Sequence, residues 1–200
     1  MYAILDGMTA RTHDLAAITA LGIVVLANPL PQVTLGTALV AILANQIGGI
    51  APDLDQPTAP FWRNLPSGHV FGRIFGKLLG GHRFISHSII GLALFGFVVH
   101  WLLLFLHPIM PHVNIGLVWW AFFIGMASHL VMDTLTKEGV PWLLPIPIKF
   151  GVPPIKRFRI TTGKSGEMFV VFPLLLLVDI WLCAHNYDTI VNYLHQHLAR

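Results

Sequence analysis

Nine residues of this sequence have the types and spacing to do chemistry: His13, Asp53, Asp55, His82, Arg83, His87, His129, Asp133 and Glu167. His129 and Asp133, in SHLVMD, stand four apart, so on a helix they project from one face a turn apart. Such a pair can grip one metal ion or two adjacent ones. Asp53 and Asp55, in PDLD, stand two apart behind Pro52. Proline disfavours helix at Ala51, which predicts an extended segment with both carboxylates on one side, where they repel unless a cation lies between them. In GGHRFISHS, His82 and His87 flank Arg83. One imidazole is expected as a ligand and the other as a supporting or proton-transfer group. Arg83 is expected either to clamp a phosphate bidentately or to pair with Asp53 or Asp55. Asp55 and Glu167 are the carboxylates expected to orient or deprotonate a water. A structural zinc is closed by four protein ligands, and the eight histidines and carboxylates here are enough for two ions with a group left for proton transfer.

The elements that must position these groups are apolar. The chain is 55% hydrophobic and 10% charged, with a mean hydropathy of +0.71, which lies outside the range of soluble domains. Apolar runs occupy 15–27, 33–51, 84–106, 115–135 and 168–184, and about 20 helical residues cross a bilayer. The expectation is an all-α, polytopic membrane helical bundle of about five hydrophobic segments with two long cytoplasmic loops, forming one domain over 1–200. Each chemical residue falls at the same end of its segment. His13 precedes the first run, Asp53 and Asp55 end the second, and His82 and His87 open the third. His129 and Asp133 close the fourth, and Glu167 opens the fifth.

The first run is short and stops at Asn28-Pro29-Leu30-Pro31, so it must extend past its visible ends, thin the bilayer or be re-entrant. A cleaved signal peptide fits poorly, because Asp6 and Asp14 do not suit a basic leader and no small-x-small site follows Leu26. Eleven of the twelve Lys and Arg residues lie on the side of the N terminus and of the 52–83 and 136–167 loops, with Arg200 opposite. The positive-inside rule therefore places the N terminus, both long loops and the site in the cytoplasm.

Within the first loop, GHVFGRIFGKLLGG sets Val70, Phe71, Ile74, Phe75, Leu78 and Leu79 at helical spacing against Arg73 and Lys77, as in a helix lying at the membrane interface. Pro141, Pro145, Pro147, Pro153 and Pro154 forbid a regular helix in the second, which is expected as an irregular apolar segment packed on the bundle. Lys156, Arg157 and Arg159 are expected to meet anionic lipid. Trp101, Trp119, Trp120, Trp142 and Trp181 read as interface anchors. His100, His107, His112, His185, His195 and His197 map to the far side and read as structural or solvated. The single Cys183 excludes an intramolecular disulfide. Nucleic-acid binding is not expected, since the basic residues border apolar segments. The GKS at 163–165 is no phosphate loop, because Phe158 stands where that motif needs glycine.

MTARTH at 8–13, PDLDQP at 52–57, GHRFISHS at 81–88, SHLVMDTLTKEGVPWLLP at 128–145 and GE at 166–167 resemble the YdjM-like family of bacterial inner-membrane proteins, described as membrane-bound metal-dependent hydrolases and LexA-regulated in some members. The family's GHRGFTHS stands here as GHRFISHS, with the same histidine separation and a different turn. The resemblance also suggests Met8 as an alternative start. More distantly, the His129/Asp133 pair with its upstream Asp and His is similar to the all-helical zinc-dependent phospholipase C and single-strand nuclease group. That similarity implies zinc ions held by His13, Asp53 or Asp55, His82 or His87, His129, Asp133 and Glu167, with phosphoester hydrolysis as the reaction. The function expected is a bacterial inner-membrane, metal-dependent hydrolase acting on a phospholipid-like or other phosphoester substrate. The alternatives are a membrane module with a structural metal and a metal- or proton-coupled carrier, which would gather its ionisable groups at the midplane.

Overall fold

A computed structural model describes residues 2–28, 33–81, 83–146, 148–161 and 164–198, with the side chains from residue 10 to 197 among them. Pro29 to Pro31, His82, Pro147, Gly163 and Arg200 lie outside the described residues, as does the side chain of Met8. The described chain is helical: α1 (Tyr2–Ala27), α2 (Leu35–Ile50), α3 (Pro60–Arg63), α4 (Gly68–Leu78), α5 (Ile89–Leu106), α6 (Ile115–Thr134), α7 (Phe172–His185) and α8 (Tyr187–Leu198). Five stretches are helical, long and apolar enough to cross a membrane: Ala10–Ala27, Leu35–Asp55, Ile89–Ile109, Ile115–Thr134 and Glu167–His185. They coincide with the five apolar runs. The short first run is part of a longer helix, since α1 starts at Tyr2 and its 26 residues reach about 39 Å at 1.5 Å each. Three spans open on side-chain caps, in which Thr34, Ser88 and Asn114 accept from the backbone N–H groups of Thr37, Gly91 and Leu117.

Helix α6 is the centre of the bundle, packed against α2, α1 and α5, while α7 packs on α1. Between α2 and α6 the backbones approach so closely that a Cβ at Gly125 would run into the Asn45 carbonyl, and one at Gly48 into that of Phe122. Asn45, fully buried, donates from Nδ2 to the Ala121 carbonyl at 3.1 Å. Lipid is as apolar as leucine, so helices in a bilayer associate through such close packing and interhelical hydrogen bonds. Phe122, Met126 and Leu130 of α6 form a small core with Ala51 and Val140.

The 136–161 segment is irregular, as its prolines dictate. Val140 and Phe150 exchange 2.8 Å backbone hydrogen bonds, and Thr136 bridges to Ile160. Val140 and Leu144 are buried on the bundle, while Ile148, Val152, Ile155 and Phe158 expose their side chains; the later part is tied to the end of α6 by backbone bonds from Val152 N to Thr134 O and from Ile160 N to Leu135 O. Arg159 closes its own loop, donating to the carbonyls of Pro153 and Pro154. Trp119 and Trp142 are tied within the protein. Their indole N–H groups donate to Gly96 O and Thr134 Oγ1, fixing α5 and the loop to α6. Trp101, Trp120 and Trp181 are exposed. Helix α8 was not anticipated, although Ile190, Val191 and Leu194 recur at helical spacing within it.

Candidate metal centre

Four chain segments deliver the polar groups to one end of the bundle. The first is α1, which buries Thr12, His13, Ala16 and Ala17 and packs on α2 and α6. The second is α6, whose last two turns carry His129 and Asp133, each 1% exposed. The third is the turn after α2, where the structure corrects the expected extended segment. Ala51–Asp55 is a 3-10 helix with Pro52 in its first turn, where a fixed φ fits and the missing N–H is not needed. At three residues per turn, side chains two apart point about 240° around the axis. Asp53 accordingly faces His129 while Asp55 turns to Ser86 and His87, so the two carboxylates do not form a repelling pair.

The fourth segment reverses the chain through Gly80 and Gly81, at φ +78° and +96°, and through Arg83 at φ +57°. Glycine adopts such angles freely, whereas arginine holds one at a cost that its contacts must offset. Its backbone N–H donates to Asp55 Oδ2 at 3.0 Å, and its guanidinium to Asp133 Oδ1 at 2.9 Å and Thr136 Oγ1 at 3.2 Å, with Glu138 at 3.4 Å. The guanidinium pair is therefore with Asp133, 50 residues on in the chain, in place of the expected Asp53 or Asp55. The 3-10 turn Ile85–His87 then sets His87 into the interior, fully buried.

At the centre, His129 Nδ1 lies 2.6 Å from the Gly49 carbonyl. That contact requires Nδ1–H, and in the neutral ring it leaves Nε2 as an acceptor lone pair. His129 Nε2 has no hydrogen-bond partner among the described residues and faces Asp53 Oδ1 at 3.7 Å and Asp133 Oδ2 at 3.9 Å. His87 Nε2 lies 3.3 Å from the same Asp133 Oδ2, while its Nδ1 is held by Ser86 Oγ at 2.9 Å and by Asp55 at 3.4 Å. Ser86 also donates to Asp55. His13 stacks on His129 at 3.9 Å between ring centroids, with Nε2 3.6 Å from Asp133 Oδ1. Buried polar atoms almost always find partners, yet Asp133 Oδ2 and His13 Nδ1 also lack hydrogen bonds here.

These separations, 3.3 to 3.9 Å, are long for hydrogen bonds. The shortest equals the edge of a tetrahedron around an ion with 2.0–2.1 Å bonds, roughly 3.3 Å, and the others are a few tenths of an ångström longer. His13, His129 and Asp133 form one group able to hold a metal ion, and Asp53, His87 and His129 a second. Both use His129, whose Nδ1 faces Gly49 O, so the two groups have His129 Nε2 in common. The donor set of imidazoles and carboxylates, each buried or half-buried, fits a divalent cation of the zinc type. Burial disfavours a charge on His87, but Asp133 and Asp55 on either side overcome it and raise its pKa from 6.5 to about 9.

Asp55 and Glu167 stand outside both ligand groups. Asp55 lies behind His87, and Glu167 opens a π-helical turn, Glu167–Val171, that leads into α7. Glu167 is buried and lines, with His13, Thr12 and Thr136, a cavity of about 20 Å³. Sequence reasoning missed the supports: Gly49, Ser86 and Thr136. One signal was present, the small residues Ala44-x3-Gly48-Gly49 and Ala121-x3-Gly125 on the second and fourth spans, which suit a close helix pair.

The curated protein YvsG of Bacillus subtilis (strain 168), whose name carries only the description uncharacterized, is 26% identical over 130 residues, spanning 65% of this chain and 70% of its own. No solved structure matches the chain. A family model described as YdjM inner membrane protein matches residues 8–187, and the chain belongs to that family.

Proposed function

We propose that this chain is a membrane-embedded, metal-dependent hydrolase, holding one zinc-type ion through His129, His87, Asp133 and Asp53 with His13 beside them, and acting on a phosphoester with an apolar tail. The observation that carries the reading is His129: its Nδ1 is tied to Gly49 and its buried Nε2 faces two carboxylates at distances suited to an ion. A carbonyl or carboxylate on the far nitrogen is the usual support of a metal-binding histidine, and His87 has one in Asp55.

A divalent ion bound here would supply Lewis acidity and bring the pKa of a water toward about 7. The protein supplies the rest. Arg83 occupies Asp133 Oδ1 and leaves Oδ2 toward the ligands. Asp55 and Ser86 orient the His87 ring. Asp53 is the most accessible donor, its side chain 28% exposed, and marks the side from which substrate arrives. Glu167 is assigned proton acceptance, because the cavity it shares with His13 has room for about one water. With the basic loops in the cytoplasm, the site lies where the spans leave the bilayer, suited to a polar head attached to an apolar tail.

The test measures zinc content, thermal stability and turnover on one detergent preparation, against a panel of phospholipid, phosphoester and acyl-ester substrates. Glu167→Gln should keep metal and fold and lose turnover. A metal-loaded parent that hydrolyses nothing on the panel overturns the hydrolase reading. It would favour a fastening role, which one observation supports: His129, Asp133 and His87 are almost completely enclosed, as in a structural zinc site.

A further inference from the structure

Helix α4 has three faces. At 100° per residue, Gly68, Gly72 and Gly76 fall on one arc and Arg73 and Lys77 on the next. Val70, Phe71, Ile74, Phe75 and Leu78 fill the remainder, and these five are 40 to 72% exposed while the glycines are buried. This arrangement is inverted for a helix docked on a water-facing protein, which turns its apolar stripe inward. A bulky apolar arc facing outward and bordered by exposed arginine and lysine suits a helix in a membrane interface, its basic side chains reaching anionic headgroups. Its place in the chain agrees, because α4 lies between the end of the Leu35–Asp55 span and the start of the Ile89–Ile109 span.

The glycine face is locked to the turn that carries the site carboxylates. A Cβ at Gly76 would lie 2.7 Å from the Asp55 carbonyl, and one at Gly72 2.8 Å from Pro57 Cα. Trp62, under the same face, donates from Nε1 to the Leu54 carbonyl at 3.1 Å. Helix α4 therefore packs directly on Ala51–Asp55, the turn that sets Asp53 against His129 and Asp55 against His87.

We infer that an anionic phospholipid surface seats α4, and that this seating sets Asp53 and Asp55 in the metal centre, so that the lipid tunes ion affinity. The second half rests on the metal reading above; the seating does not. The experiment uses the full chain in nanodiscs of phosphatidylcholine alone or mixed with phosphatidylglycerol. A fluorophore on Ile74→Cys, in a Cys183→Ala background, reports contact with brominated acyl chains, and zinc affinity is measured in the same discs. Quenching should be stronger, and zinc affinity about fivefold higher, with phosphatidylglycerol present. The double variant Arg73→Gln/Lys77→Gln should erase both differences. Trp62→Phe should keep the quenching difference and lose the affinity difference. An unquenched fluorophore in both discs overturns the seating, and a particle of doubled mass would then assign the face to a second copy of the chain. Equal quenching in both lipids overturns the anionic preference, and a quenching difference without an affinity difference overturns the coupling. Absence of zinc in every disc counts against the metal centre, while the quenching still decides the seating.

Discussion

Helix α6 and the span Glu167–His185 are nearly equal in length, and the second is the more apolar, yet 39% of the first and 6% of the second is buried. In water the order would be reversed. In a bilayer apolar side chains gain little by leaving lipid, so burial goes to the helix that offers small residues and polar partners. Helix α6 offers Ala121, Gly125, His129 and Asp133 to α1 and α2. Helix α7 presents Leu174, Leu177, Ile180 and Trp181 outward and Leu182 inward. The inner helices carry the buried polar cluster, and the outer span joins it only through Glu167 at its start, most of its large apolar side chains pointing outward.

The sharpest way to break this contrast is to force α2 and α6 apart. Gly125→Leu would put a side chain where the Asn45 carbonyl stands. It should cost about 3 kcal/mol or more in detergent unfolding, whereas Gly96→Ala in α5, with 3.4 Å to Trp119, should be tolerated. Equal losses would show that α5 is as much a part of the scaffold as α2.

Removing a ligand comes next. His129→Ala and Asp133→Ala should each lose most of the bound metal, measured by elemental analysis of the folded protein, while His185→Ala on α7 leaves it unchanged. Parent-level metal in the first two would remove the centre from α6.

A smaller effect is expected one layer out. Asp55→Asn should weaken zinc binding by roughly 10- to 100-fold, as removal of a carboxylate behind a ligating histidine commonly does. Its pH dependence gives a second check. In the metal-free protein the His87 pKa is raised from 6.5 to about 9, so its contribution to stability is full below about 6.5 and fades as pH rises through about 9. A metal needs the unprotonated ring, so zinc affinity should climb until about pH 9 in the parent. In Asp55→Asn it should level off at lower pH, since one carboxylate favouring the proton is gone. Profiles that coincide would separate Asp55 from His87. The least effect is expected on the lipid face, where Cys183→Ala, at an exposed position, should change stability by less than about 0.5 kcal/mol.

The five spans were legible because crossing a bilayer demands a length and an apolarity that no other context imposes together. The nearness of His13, Asp53, His87, His129 and Asp133 was legible because charged and imidazole side chains are costly in lipid, so their gathering at one end of the spans stood out. What each does was not. Whether Arg83 would meet Asp53, Asp55 or Asp133 depends on a left-handed backbone at residue 83, and Arg83 came with both its pairing and its phosphate readings open. Asp53 and Asp55 read as one pair because spacing was projected onto a strand, and the 3-10 turn sent them in different directions.

The amino-acid order alone determined that this chain builds a membrane bundle with metal-type side chains at one end, because hydropathy and residue chemistry are local properties. Only the tertiary structure decided that His129 shares one centre with His87, Asp133 and Asp53, with Asp55 and Ser86 behind His87. Those relations rest on the backbone approach of α2 to α6 at Gly48, Gly49 and Gly125, a contact between residues some 80 positions apart that no spacing rule encodes.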